Sequence, residues 1–394
     1  MVAVSRIYNF ETARAAARHK LPKTLFNFID GGADDEITLH ANHAAYGEIS
    51  LRPRQAVSIP APDLRRTVLD SELSMPLALA PCGGTRLVWP DGERAYVRAA
   101  GAARTAATVS TASGTTPEDE ASAASGPIWF QLYYPGNREA AAKLVGRAAQ
   151  AGFGALFITI DMPLRGNQER VRSAERIVPP RPSLRNAIRF APELLARPLW
   201  TAHYVADGMT NGVNPKSVQS DRASIPQGPR GDRPNITWSD VEWLRSIWSG
   251  PFVVKGILTG EDAQRAVACG ADALVVSNHG GRQLGCAQAT IRALPEVRAA
   301  VGKSTELLID GGIRRGSDVV KAIAYGADAA LIGRPYLYGL AAAGEAGVSR
   351  ILELFREDLI RTLKLLGRAS IADIDRSCIE ATDLSIAGAP ADPC

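Results

Sequence analysis

From Met75 onward, short apolar runs alternate with longer stretches in which apolar residues fall at helical spacing. The runs are Pro76–Ala80, Ala107–Thr111, Ile128–Leu132, Ala155–Ile160, Phe252–Lys255, Ala273–Ser277, Glu306–Ile309 and Ala329–Ile332. A strand with one wet face alternates apolar and polar residues. Runs that are apolar on both faces belong to a parallel sheet covered by helices. Helical stretches do lie between most of them, at Asp91–Ala103, Asn137–Ala151, Gly260–Cys269 and Gly316–Tyr325. Eight such units predict an α/β fold, a (β/α)8 barrel over about residues 75–345. A doubly wound sheet is the alternative, but it usually carries a glycine-rich turn after its first strand. Neither G-x-G-x-x-G nor G-x-x-x-x-G-K-[ST] occurs in this chain.

The first fifty residues predict short helices ahead of the barrel. Glu11 to Lys20 forms one, and Pro22 opens a second that ends near Gly31-Gly32. The whole chain, 1–394, reads as a single domain. One connection breaks the rhythm: about 75 residues separate Asp161 from the helix starting near Thr237. Ordinary βα loops have roughly 2–6 residues. This insertion, about 164–236, carries twelve Lys/Arg against six Asp/Glu between Leu164 and Pro234. Prolines break it up, and Phe190, Leu194, Leu195, Leu199 and Trp200 read as apolar anchors. Its functional readings are an active-site lid or a weak contact with an anionic membrane surface. The plainer reading is a solvated loop folded back on the barrel.

The net charge of +4 over 394 residues excludes an argument for nucleic acid. No apolar run is long enough to span a membrane. Arg6 and Asn9 stand where a signal peptide needs its apolar core. The five cysteines show no C-x-x-C spacing, so we expect free thiols in a reducing cytoplasm and no metal site. The five histidines leave few candidates for a neutral-pH base.

In a barrel of this kind, chemistry gathers at the carboxyl ends of the strands. The residues closing the predicted strands are Pro81-Cys82-Gly83, Ser110, Gln131 and Tyr133, Thr159 and Asp161, Lys255, Ser277 to Arg282, Asp310-Gly311-Gly312, and Gly333-Arg334. His279 is the only histidine in such a position. It can take a proton while Arg282, three residues on, holds a carboxylate in fork geometry. Lys255 supplies a fixed positive charge. Asp310-Gly311-Gly312-Ile313-Arg314-Arg315-Gly316 and Gly333-Arg334 follow the seventh and eighth strands, the usual phosphate-binding place in this fold.

Several motifs carry a family resemblance. They are Phe130-Gln131-Leu132-Tyr133, Val254-Lys255-Gly256, Ser277-Asn278-His279-Gly280-Gly281-Arg282-Gln283-Leu284, the Asp310–Gly316 segment and Ile332-Gly333-Arg334-Pro335. From Leu21 to about Arg376 the chain resembles the FMN-dependent α-hydroxy-acid oxidases and dehydrogenases, which include glycolate oxidase, lactate oxidase and mandelate dehydrogenase. The resemblance implies FMN as cofactor and oxidation of a 2-hydroxy acid to the 2-oxo acid, with oxygen or a quinone as electron acceptor. It implies His279 as base, Asp161 on its other ring nitrogen, Arg282 on the substrate carboxylate, and Tyr133 against the substrate. It implies Lys255 beside the flavin pyrimidine edge. Pro81, Cys82, Gly83, Ser110, Gln131, Thr159 and Ser277 would hold the isoalloxazine and ribityl chain. Asp310, Gly311, Gly312, Arg314, Gly333 and Arg334 would take the ribityl and phosphate. It also implies a homotetramer or octamer; the cysteine usage points to the cytoplasm, and the basic insertion to peripheral contact with a membrane.

Three positions depart from the family pattern. Phe28 stands where tyrosine is usual, Gln168 where arginine is common, and Gly285 where aspartate usually follows Arg-Gln-Leu. Losing the tyrosine hydroxyl removes a charge-assisted hydrogen bond of about 1.5–3 kcal/mol. Phe28 and Gln168 remain substrate-binding candidates, for a larger or less acidic substrate than glycolate or lactate. The stretch from Trp238 to Ala369 also resembles the branch that matures the redox peptide mycofactocin by oxidising a carbon–nitrogen bond. That branch tends to lack the arginine kept here as Arg282, so this reading ranks second. A non-enzymatic flavin-binding or membrane-docking protein ranks third.

Overall fold

The computed structural model describes residues 4–172, 184–206 and 235–380. Eight parallel strands close a barrel in chain order: β1 (Leu77–Leu79), β2 (Ala107–Ser110), β3 (Ile128–Leu132), β4 (Ala155–Thr159), β5 (Phe252–Ile257), β6 (Ala273–Val276), β7 (Glu306–Ile309) and β8 (Ala329–Ile332), with β8 pairing back onto β1. Each falls on one of the eight predicted runs. The predicted helices between them are found at Gly92–Ala102, Arg138–Gln150, Gly260–Ala268 and Gly316–Ala324.

Two buried layers explain why the strands lack polar alternation. One set of positions, including Leu77, Leu79, Phe130, Leu156, Ile158, Val254 and Leu307, packs outward against the helices. The intervening positions, including Ala78, Trp129, Phe157, Val253, Val275, Leu308 and Leu331, fill the barrel interior. Trp129 and Phe157 stack there at 5.5 Å between ring centroids. A two-stranded hairpin, Arg66–Val68 with Ser71–Leu73, plugs the bottom through Val68, Leu69 and Leu73. Sequence reasoning did not foresee that plug.

Three helices precede the hairpin: α1 (Phe10–Lys20), α2 (Lys23–Asp30) and α3 (Ile37–Gly47). The Asn9 side chain caps α1, and the chain turns at Leu21-Pro22 into α2. A helix spanning Arg334–Leu366, broken at Ala343-Gly344, follows β8 and packs against α1.

The insertion leaves β4 through a stem, residues 162–172, and its described helices are Leu184–Leu195 and Pro198–Ala206. They return onto the mouth side of the barrel. Thr24 Oγ1 donates to Glu193 at 3.2 Å, Arg197 Nε to the Leu21 carbonyl at 3.0 Å, and Trp200 Nε1 to the Leu87 carbonyl at 2.8 Å. Trp200 is therefore the anchor its composition suggested. Leu195 and Leu199 are not: they are 79% and 68% exposed. Polar groups and the Trp200 and Tyr204 rings hold this segment down, while Leu195 and Leu199 stay in solvent. Much of the predicted basic segment, 173–183 and 207–234, and the side chain of Phe190 lie outside the described residues.

Candidate active site at the barrel mouth

The interior positions continue beyond the apolar layer with the same period of two. Two residues after Trp129 comes Gln131. Phe157 leads in the same way to Thr159, Val253 to Lys255, Val275 to Ser277, Leu308 to Asp310 and Thr108 to Ser110. The strands thus present apolar side chains at the base and polar ones at the carboxyl end. Ser110 Oγ donates to Gln131 Oε1 at 2.6 Å, and Gln131 Nε2 donates to Thr159 Oγ1 at 2.9 Å. This fixes a polar row across three strand ends.

Lys255 continues the row. Its buried ammonium lies 2.8 Å from Asp310 Oδ2 and donates to Ser277 Oγ at 2.7 Å. Ser277 donates in turn to Asp310 Oδ1 at 2.7 Å. Burial would drive this lysine neutral, but Asp310 and Asp161 outweigh it and hold the ammonium charged. Gly256 follows at a bulge in β5, with φ of +113°. A Cβ there would lie 2.6 Å from the Asp161 Cβ, so this glycine clears the space in which Asp161 sits. Sequence reasoning gave Gly256 no role, although a glycine inside a strand signals a bulge or a close approach.

His279 sits in the left-handed region at φ +58°, unusual for a non-glycine residue and common at functional sites. Its Nδ1 lies 3.1 Å from Asp161 Oδ1 and its Nε2 lies 3.3 Å from the Tyr133 hydroxyl. Burial pushes the Asp161 carboxyl up, yet His279 and Lys255 bring it below the usual carboxylate range. The ring thus has one nitrogen fixed by a carboxylate and the other facing the mouth.

Arg282 is half-buried and has no acid partner among the described residues. Nη1 donates to the carbonyls of Phe28 at 2.7 Å and Gly31 at 3.1 Å, and Nη2 to Gln168 Oε1 at 3.1 Å. The Phe28 ring lies under the guanidinium, 5.0 Å from its centre. Burial, with Arg334 nearby, pushes Arg282 down to about 10. Arg334, among the described residues, likewise donates to carbonyls: Ile29 at 3.0 Å, Gly280 at 2.9 Å and Gly31 at 2.8 Å. The carboxyl end of α2, the negative pole of its dipole, therefore helps orient two arginines that no carboxylate among the described residues neutralises. Such a place attracts anions.

Pro81, Cys82 and Gly83 line the mouth after β1, and burial pushes the Cys82 thiol up. A Cβ on Gly333 would lie 3.4 Å from the Cys82 sulfur. In the segment after β7 the predicted roles divide. Gly311 and Gly312 have φ of +93° and +83°, and a Cβ on Gly312 would lie 2.5 Å from the Asn42 carbonyl carbon. These glycines let α3 pack closely, a use that Gly-Gly in the sequence does not distinguish from anion binding. The N–H groups of Arg314 and Arg315 are already held by Asp318 Oδ2, each at 3.0 Å. The Arg314 guanidinium turns away to the Phe10 ring at 4.2 Å and to Glu11 at 3.6 Å. Sequence reasoning also missed Asn42 and Asn278, buried partners that exchange side-chain hydrogen bonds at 2.8 and 2.9 Å and fix the β6 loop to α3.

The chain is similar to known proteins over nearly its whole length. Residues 17–381 match the family model described as FMN-dependent dehydrogenase. An L-lactate oxidase from Nostoc sp. is 40% identical over 381 residues, 96% of this chain and 99% of that protein. A pre-mycofactocin synthase from Mycobacterium tuberculosis is 38% identical over 383 residues, 93% of each chain. The crystal structure of a monotopic membrane protein, (S)-mandelate dehydrogenase, superposes with a TM-score of 0.86 at 34% identity, covering 95% of this chain and 99% of that one.

Proposed function

The chain belongs to the FMN-dependent dehydrogenase family, and from that premise we propose that it oxidises a 2-hydroxy acid to the 2-oxo acid with His279 as base. The single observation that carries this reading is the set formed by His279, Asp161 and Arg282. A carboxylate-fixed imidazole stands beside a half-buried arginine that lacks an acid partner among the described residues.

The residues present fit FMN. The row Ser110–Gln131–Thr159 offers hydroxyl and amide groups to a polar ring edge, and Lys255 is a buried cation beside it. Ser277, Pro81, Cys82 and Gly83 complete the surround. Arg334 and the backbone of Gly311, Gly312 and Gly333 are the groups for the phosphate end. Arg314 would have to leave Glu11 and Phe10 to join them. When bound, FMN would take up the two electrons and one of the two hydrogens that leave the substrate, the other going to His279 as a proton.

The protein's own contribution follows from the geometry. Arg282 holds the substrate carboxylate through donors not committed to the α2 carbonyls, and so fixes the carbinol near His279. The Tyr133 hydroxyl, 3.3 Å from Nε2, orients the substrate oxygen there. His279 Nε2 takes the proton, and the buried charge of Asp161 offsets the positive charge that the ring gains. Lys255 keeps a fixed positive charge opposite the electron-rich product state of the site. Oxygen or a quinone then accepts the electrons.

Phe28 and Gln168 set the substrate end. Neither adds a cation, so Arg282 supplies the charge for the carboxylate among the described residues of this end, and the Phe28 ring supplies an apolar wall. This supports a hydroxy acid with a larger side chain than lactate. Retention of Arg282 counts against oxidation of a carbon–nitrogen bond. The test is a panel of 2-hydroxy acids, from lactate to mandelate and longer aliphatics, added anaerobically to the FMN-loaded protein. Bleaching that favours the larger acids supports the reading. Bleaching by amines alone overturns it.

Peripheral membrane contact belongs to the same reading. The helices at 184–206 expose Ile188, Leu195, Leu199 and Val205, and no described helix is long and apolar enough to cross a membrane. Sedimentation with anionic vesicles tests it. The tetramer or octamer rests on the family resemblance, and the cytoplasmic location on the cysteine usage.

A further inference from the structure

The turn between α2 and α3, residues 31–36, lies between two segments that shape the substrate end. On one side is the β6 loop with Arg282. Ala33 N–H donates to the Gly281 carbonyl and Thr38 N–H to the Gly285 carbonyl, both at 2.8 Å. On the other side is the stem of the insertion. Asp34 N–H donates to the Asn167 carbonyl at 2.8 Å, and Asn167 Nδ2 donates back to Asp34 Oδ1 at 3.0 Å. The residue after Asn167 is Gln168, whose Oε1 receives Arg282 Nη2 at 3.1 Å.

Asp34 reaches Asn167 across a space that only a glycine at 285 leaves open. A Cβ on residue 285 would lie 2.8 Å from the Asp34 Cβ and 3.0 Å from its Cγ. The Asp34 Cβ is fixed to the backbone, so rotating the side chain does not relieve that clash. Asp34 itself is left-handed at φ +49°, a conformation aspartate tolerates better than most residues. The far end of the stem is held independently, by Arg170 on Glu36 at 2.6 Å and on Asp30 at 2.8 Å. The Asp34 tether therefore acts locally, at residues 167–168, and not on the insertion as a whole.

We infer that Asp34 is a positioning residue for the carboxylate clamp, acting through Asn167 and Gln168 on Arg282, and that Gly285 is the space this tether requires. The inference rests on the reading of Arg282 as the clamp. It predicts a particular kinetic signature, because a looser clamp weakens substrate binding more than it slows chemistry. The tether needs an acceptor at position 34 and not a charge, so asparagine can serve.

The test is steady-state kinetics of the full FMN-loaded chain on its best 2-hydroxy acid. Asp34→Ala should raise KM about 3- to 10-fold with kcat within about 2-fold, the size of one ordinary hydrogen bond. Asp34→Asn should stay within about 2-fold of wild type in both. Gly285→Ala should raise KM similarly, and the double variant Asp34→Ala/Gly285→Ala should be no worse than either single one, because both remove the same tether. An unchanged KM in Asp34→Ala overturns the inference. So do a fall in kcat alone, an Asp34→Asn variant as impaired as Asp34→Ala, fully additive single effects, or loss of bound FMN. Arg282→Met is the control that separates the two readings. If it leaves KM unchanged, the clamp assignment itself fails.

Discussion

Asp161 Oδ1 lies 3.1 Å from His279 Nδ1, and the other carboxylate oxygen of Asp161 is buried with no hydrogen-bond partner among the described residues. The imidazole is therefore the main compensation for this buried charge, and Lys255 adds to it. A group held this way acts strongest when the ring becomes positive. Asp161→Asn keeps the shape and removes the charge. It should retain FMN and lower the rate of flavin reduction by about 10²- to 10⁴-fold, the usual worth of positioned acid–base catalysis. Single-turnover absorbance measurements check this.

The Lys255–Asp310 pair, 2.8 Å apart and tied through Ser277, is buried at the top of the barrel interior. Removing one partner leaves the other as an uncompensated buried charge. Lys255→Met should cost about 3–5 kcal/mol of stability, and Lys255→Met/Asp310→Asn less than the sum of the two single changes. Denaturant unfolding of the apoprotein reads both.

Arg282 tests the substrate end. Its truncation to methionine removes charge-assisted hydrogen bonds worth about 1.5–3 kcal/mol, so kcat/KM for a 2-hydroxy acid should fall by roughly 10- to 150-fold. Steady-state kinetics against a neutral 2-hydroxy amide supply the contrast, and that substrate should lose much less.

Glu120 gives a pH dependence of stability remote from the catalytic residues. Burial pushes its carboxyl up to about 8, and Ser113 and Thr115 donate to Oε1 without reversing the shift. The unfolded chain titrates at the ordinary value of 4.5. Between these values the native state binds the extra proton, so stability falls as pH rises from about 4.5 to about 8 and levels off above. Glu120→Gln should flatten that decline, as read by unfolding midpoints across the range.

Much of this molecule was legible in the sequence. Strands buried on both faces have no other common home than a helix-covered parallel sheet, and their carboxyl ends delivered the polar row, Lys255 and His279 directly. What stayed hidden depends on packing. Gly312 reads as part of an anion cradle, but the absence of its Cβ is also what lets the Asn42 backbone pack against it. Leu195 and Leu199 read as anchors and stand in solvent, because a run of leucines does not say which face docks. Most of the acceptors that orient Arg282 and Arg334 are backbone carbonyls at and just after the end of α2, which every residue possesses and no motif marks.

The central claim is that His279 takes the proton as a 2-hydroxy acid gives its electrons to bound FMN. The most direct measurement is anaerobic rapid mixing of the FMN-loaded protein, wild type and His279→Asn, with the best acid of the panel, following the oxidised flavin band. The wild-type band should bleach while His279→Asn keeps its FMN and stays yellow. Bleaching of His279→Asn at the wild-type rate would contradict it.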